Sequence, residues 1–100
     1  MKFQWDEAKN RSNKRKHDMD FEFASLAFLD IHHFSIQDRI EGGEMRWQTY
    51  GEVAGRSVVL VAHTWTEDEG GEDIIPIMSA RRAVRRERKL YEENRRQLYA

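Results

Sequence analysis

Val58-Val59-Leu60-Val61-Ala62 is the stretch that most restricts the fold. Successive side chains on a strand point to opposite faces, so a run that is apolar at every position needs cover on both sides. Residues 57–66 are therefore expected to form a central strand. Glu44–Tyr50 alternates instead, with Glu44, Arg46, Gln48 and Tyr50 on one face and Met45, Trp47 and Thr49 on the other. Residues 51–56 hold two glycines and read as a hairpin connection between these strands. Residues 67–72 form an acidic turn, and residues 73–78 a last strand. Pro76 gives up a ladder hydrogen bond there, which calls for an edge or a bulge.

The N-terminal third reads differently. Phe3-Gln4-Trp5 alternates as a short strand. Asp6 is placed to cap a polar surface helix that runs to Lys16 and closes at His17, where cations suit the helix dipole. Asn13 in that helix can bond locally or to a neighbouring backbone, and no core role is visible for it. Asp20 caps a second helix, residues 21–29, in which Phe21, Ala24, Ala27 and Phe28 recur at helical spacing, as do Leu26 and Leu29. Residues 30–37 enter a strand and residues 38–43 form a turn. His32 and His33 are adjacent, and on a strand would face opposite ways, which is poor geometry for a shared metal. Short connections between the strands make an antiparallel sheet, so the chain is expected to be an α+β domain, with two N-terminal helices and one C-terminal helix packed on a small sheet.

One hundred residues suit a single domain over 1–100. Cysteine is absent, which excludes disulfides and thiolate metal sites. No apolar run reaches a membrane span, and Met1–Asp6 lacks the apolar centre of a signal peptide, so a cytoplasmic protein is expected. The net charge of −1 conceals segregation. Residues 1–17 carry six Lys/Arg against two Asp/Glu, residues 81–100 carry eight against three, and residues 18–80 hold three against thirteen. If the ends meet, they form one basic face suited to nucleic acid or an acidic partner; two solvated helices are the simpler alternative.

The last basic stretch begins at Ser79-Ala80-Arg81-Arg82. A helix from about Ala80 to Leu98 is expected, capped by Ser79, with Ala80, Ala83, Val84, Leu90, Tyr91 and Leu98 as its buried stripe and Glu87 as an interruption. A helix N-terminus with free N–H groups and two guanidinium forks would hold a phosphate.

Several motifs together resemble the BrnT toxins. They are Trp5-Asp6, Lys9-Asn10-x-x-Asn13-x-x-Lys16-His17, Asp20-Phe21 with Ala24, Glu44-x-Arg46-Trp47, Gly51, Val61-x-His63-Thr64, and Ser79-Ala80-Arg81-Arg82-Ala83 with Arg86-Glu87 and Tyr91. The resemblance implies a RelE-like fold and a metal-independent endoribonuclease that cuts mRNA without a cofactor. It also implies a BrnA-type antitoxin, a toxin–antitoxin heterotetramer of two plus two chains, and contact with operator DNA only through the antitoxin. Met45, Trp65-Thr66 and Pro76 depart from the family pattern.

RNA cleavage without a metal uses the 2′-OH as an internal nucleophile and needs a base, an acid and positive charge at the phosphorane. Arg46, Arg81 and Arg82 fit the charge role. His17 and His63 fit acid or base roles because imidazole titrates near neutrality, and Glu44 is the carboxylate alternative for the base. Lys16, Lys9 and Arg85 are candidate RNA contacts, and Trp47 or Trp65 could stack on a base. The competing readings are a hydrogen-bonded core histidine for His63, a helix-capping His17, a surface pair for Glu44 and Arg46, and a core Trp47. Arg85, Arg86 and Arg88 also fit a solvated face or an antitoxin contact. A non-catalytic nucleic-acid or protein-binding module on the same fold is the alternative function.

Overall fold

The computed structural model describes residues 1–97. The elements are β1 (Lys2–Gln4), α1 (Glu7–His17), α2 (Phe21–Ser25), a 3-10 turn (Leu26–Leu29), β2 (Phe34–Glu41), β3 (Glu44–Val53), β4 (Ser57–His63), β5 (Thr66–Glu67), β6 (Asp73–Arg82) and α3 (Arg85–Gln97). The sheet order is β1-β6-β4-β3-β2, with β5 also against β6. As the apolar run predicts, β4 is central. β1 pairs with β6 in parallel, so the sheet is mixed at that edge rather than wholly antiparallel.

Two apolar clusters sit on the two faces. Met19, Phe21, Ala24, Ala27 and Phe28 pack against Val59, Val61, Ile75 and Ile77 on one side. Tyr50, Val58, Leu60, Ala83 and Tyr91 form the smaller cluster under α3. Asp6 and Asp20 act as helix caps: Asp6 accepts from the backbone N–H of Ala8 and Lys9 (2.7 and 3.2 Å), and Asp20 from Phe23 (2.8 Å). Leu26 and Leu29 do not join the core; they are 43 % and 75 % exposed, because the chain tightens to 3-10 geometry after Ser25 and their side chains rotate outward. β3 passes so close to this turn that a Cβ on Gly51 would lie 2.2 Å from the Ala27 carbonyl oxygen, so only glycine fits.

Two strand boundaries differ from expectation. β2 continues to Glu41, leaving Gly42 and Gly43, both at positive φ (59° and 81°), as a two-residue hairpin turn in place of the expected loop over 38–43. At the other end of the sheet, β6 runs on through Arg82. Ser79, Ala80, Arg81 and Arg82 are therefore strand residues, paired with Ala62, Val61, Leu60 and Val59, and Ser79 caps no helix. The apolar run of β4 requires a ladder partner along this length, and that pairing overrides local helix propensity. The register shifts between Ala62 and His63, opposite Ser79 and Ile77, which makes Met78 the extra residue of a bulge two positions past Pro76; at Pro76 itself β6 is paired with β1 and is not an edge.

α3 begins at Arg85. Glu87 accepts a hydrogen bond from the Val84 N–H (2.8 Å), one half of a capping box. Glu87 and Tyr91 are the buried residues of this helix, whereas Val84 and Leu90 are 48 % and 43 % exposed. The predicted stripe is thus displaced, and its last member, Leu98, lies outside the described residues.

Candidate active site

Asn13 fixes α1 against the sheet. Its side-chain amide donates to the carbonyls of Met19 (2.9 Å) and Ala80 (2.8 Å) and accepts from the Ala80 N–H (3.1 Å). β1 reaches only as far as Pro76 along β6, so the carboxamide replaces a missing neighbouring strand at Ala80. Asn10 adds a second tie by accepting from the Phe21 N–H at 2.8 Å. α1 is thereby held across the β6 edge, with Lys9, Lys16 and His17 beside Met78 and Ser79.

Two depressions result. One, of about 480 Å³, is lined by Lys9, Asp38, Arg39, Glu41, Arg46, Gln48, Ala62, Met78 and Ser79. The other, of about 230 Å³, is lined by Lys9, Ser12, Asn13, Lys16, His17, Met78 and Ser79. They share Lys9, Met78 and Ser79 and adjoin there to make a groove. Arg46 projects into it from β3, with its side chain only 18 % exposed and its Nε 3.9 Å from Glu41 Oε2. That Nε is buried and makes no hydrogen bond among the described residues. A buried guanidinium N–H without a partner is costly and is satisfied when an anion enters.

Beyond Gln48 a further hollow carries Arg81, Arg86 and Lys89. Arg81 forms a fork with Glu87: Nη1 donates to Oε1 (2.7 Å) and Nη2 to Oε2 (3.0 Å). The hydrogen bond from Arg81 is the chief reason the Glu87 carboxyl lies below the usual range, and the Glu87 bond raises Arg81 in turn. Tyr50 beside them is raised, first by burial and then by the Glu87 charge.

The other predicted residues do not enter the groove. His63 is fully buried on the opposite face, with Nε2 2.6 Å from Thr49 Oγ1 and Nδ1 2.9 Å from the Thr64 carbonyl. Burial lowers its pKa, opposed by the Thr64 bond. Arg82 lies opposite Val59, on the other side of β6 from Arg81, since neighbouring strand residues alternate. Glu44 sits exposed at the hairpin tip, and Glu41 is the carboxylate brought beside Arg46. Arg85 is exposed at the start of α3. Trp47 packs edge-on against Trp65 at 5.2 Å. Ser12, Asp38, Arg39, Glu41 and Gln48 are the polar groove residues that the sequence does not single out; the Gly42-Gly43 pair, a two-residue hairpin signal, was the clue that β2 extends to Glu41. Among the described residues no group of three or more His, Asp or Glu side chains is arranged to hold a metal ion.

Residues 5–87 match the family described as the ribonuclease toxin, BrnT, of type II toxin–antitoxin systems. The chain belongs to the BrnT family. It is therefore a member of a ribonuclease toxin family whose systems pair a toxin with an antitoxin. The 1.1 Å crystal structure of the Brucella abortus ribonuclease toxin BrnT is similar to it, with a TM-score of 0.59 and 27 % identity, over 85 % of this chain and 99 % of that one. Comparison with curated protein sequences gives no match. Within this BrnT-family chain, no helix among the described residues is long and apolar enough to cross a membrane.

Proposed function

We propose that the chain is one RelE-like toxin domain that cuts mRNA as a metal-independent endoribonuclease, with the Arg46 groove as its active site. The observation that carries this reading is the buried Nε of Arg46, which makes no hydrogen bond among the described residues, beside Lys9 and Ser79, in a chain whose family is named for ribonuclease activity. A phosphodiester in the groove meets Arg46 from β3 and Lys9 and Lys16 from α1. The 2′-oxygen attacks the adjacent phosphorus as a base takes its proton, the P–O5′ bond breaks as an acid protonates O5′, and the products are a 2′,3′-cyclic phosphate and a 5′-hydroxyl. His17 is the histidine of the groove and serves proton transfer at one of these oxygens. Glu41, next to Arg46, takes the carboxylate role that the sequence assigned to Glu44. Arg81, held by Glu87, contributes charge from the adjoining hollow.

A BrnA-type antitoxin neutralises this activity in a two-plus-two heterotetramer in the cytoplasm, and the toxin reaches operator DNA through that partner alone. The test is RNA incubated with purified, antitoxin-free protein in EDTA. Degradation that disappears in a folded Arg46→Ala variant supports the reading. Intact RNA after long incubation with folded wild-type protein assigns the chain to the non-catalytic binding class.

A further inference from the structure

We propose that Arg56, Arg82 and Arg88, with Ser57, form a second phosphate site that holds the RNA backbone away from the scissile bond; this rests on the ribonuclease reading above. A depression of about 240 Å³ is lined by Arg56, Ser57, Val58, Arg82, Ala83 and Arg88. Its three guanidinium groups come from separate segments: the β3–β4 turn, the end of β6 and the first turn of α3. No carboxylate lines it. Among the described residues, Arg39, Arg46, Arg81 and Arg95 each lie within 4.0 Å of a carboxylate, and Arg56, Arg82 and Arg88 do not. Arg88 is held in place by donating Nη1 to the Ala83 carbonyl (3.0 Å), which leaves its other N–H groups for a ligand. All three arginines are exposed and accessible.

Like charges gathered round one hollow repel each other, and a phosphate relieves that repulsion while accepting several guanidinium bonds. The Ser57 hydroxyl supplies a neutral donor at the same spot. Membership of a ribonuclease toxin family favours RNA over an acidic peptide as occupant. β6 contributes Met78 and Ser79 to the groove and Arg82 to this hollow, a separation of roughly 10 Å at the usual strand rise. Arg82 faces away from Ser79 and Arg81 across β6, so an RNA that meets both places passes round the end of that strand rather than along one face.

The experiment measures binding of a 2′-O-methyl oligonucleotide, which lacks the nucleophile, by fluorescence anisotropy across a salt series, alongside cleavage of ordinary RNA. Arg56→Gln and Arg88→Gln are each compared with wild type, and circular dichroism confirms the fold. Each variant is expected to lose about tenfold in affinity at low salt. The slope of log K against log salt should shrink by about 0.7 for each phosphate no longer neutralised. In cleavage, KM should rise while kcat at saturation is unchanged. Unaltered affinity and salt slope overturn the proposal, and cleavage that persists in that case leaves the ribonuclease reading standing. Full oligonucleotide affinity combined with weakened binding to the antitoxin assigns the arginines to the protein partner and also overturns it. Arginine-dependent binding by a wild-type protein that leaves RNA intact supports the site and sinks the ribonuclease reading instead.

Discussion

His63 and Arg46, buried on the two faces of the sheet, have their polar atoms met in opposite ways. On the face covered by α2, His63 has both ring nitrogens bonded, to Thr49 and to the Thr64 carbonyl. Asn13, at the β6 edge, makes three bonds to backbone. On the face shared by α3 and the groove, Arg46 keeps a buried Nε without a hydrogen-bond partner. A satisfied buried polar group holds a fold together, and an unsatisfied one beside a groove is reserved for a ligand. On the proposed reading, structure falls to one side and chemistry to the other.

The strongest way to break it is Arg46→Ala. Its expected loss of RNA cleavage is about 10²–10³-fold, by analogy with removal of a transition-state donor. The unfolding midpoint should hardly move, since the nearest carboxylate contact of Arg46 is 3.9 Å long. Near-normal cleavage by a folded variant would dissolve the distinction between the faces.

Asn13→Ala tests the structural side. It strands the Ala80 N–H and C=O and the Met19 C=O. At roughly 1–3 kcal/mol for each buried unsatisfied group, partly recovered by water, the expected cost is about 3 kcal/mol in urea unfolding. Asn13→Asp should fail similarly because a carboxylate cannot donate to two carbonyls. A stability within error of wild type would mean the amide is not the latch.

Glu87→Gln sharpens the boundary between the two roles. It leaves shape and one donor–acceptor pair but removes the charge opposite Arg81, which is 39 % exposed. A cost of about 1–2 kcal/mol is expected once solvent screening is allowed for. Cleavage should fall with it if Arg81 contributes charge, and a drop in stability alone would make the pair purely structural.

His63 sets a pH signature. Burial holds its folded pKa below the ordinary value of 6.5. The unfolded chain therefore takes up a proton first as pH falls, and stability drops below about pH 6.5. Glu87 is held low by Arg81. Burial works to raise Asp30, but its bonds from the Glu52 N–H, the Tyr91 hydroxyl and the His32 N–H outweigh that and hold it low. Stability from these carboxylates is lost only at lower pH, as they protonate. Urea midpoints at about pH 7.5 and 5.5 should differ for wild type and differ less for His63→Gln. An equal difference would place the titrating group elsewhere. The smallest effect is expected from Glu44→Gln, which should leave cleavage within about twofold, while Glu41→Gln should lower it further.

Much of the fold was legible in the residues. The all-apolar β4, the alternating β3 and the capping aspartates were local signals and behaved as such. The resemblance also held, yet part of its Lys-Asn-x-x-Asn pattern turned out to act on backbone: Asn10 and Asn13 tie helices and strand together, while Lys9, Lys16 and His17 line the groove. Spacing alone could not separate those roles, because a helix surface faces both the sheet edge and solvent within one turn.

By itself, the sequence determined which segments must be buried and where the two N-terminal helices start, because burial periodicity and capping by Asp6 and Asp20 depend on neighbours in the chain. The tertiary structure alone decided that Ser79–Arg82 would be strand and that Arg81 and Arg82 would part to opposite faces. Those outcomes hang on strand register, and a single-residue change in register sends every side chain to the other face. For β6, register is set by pairing with β4, between residues distant in sequence that meet only in the folded chain.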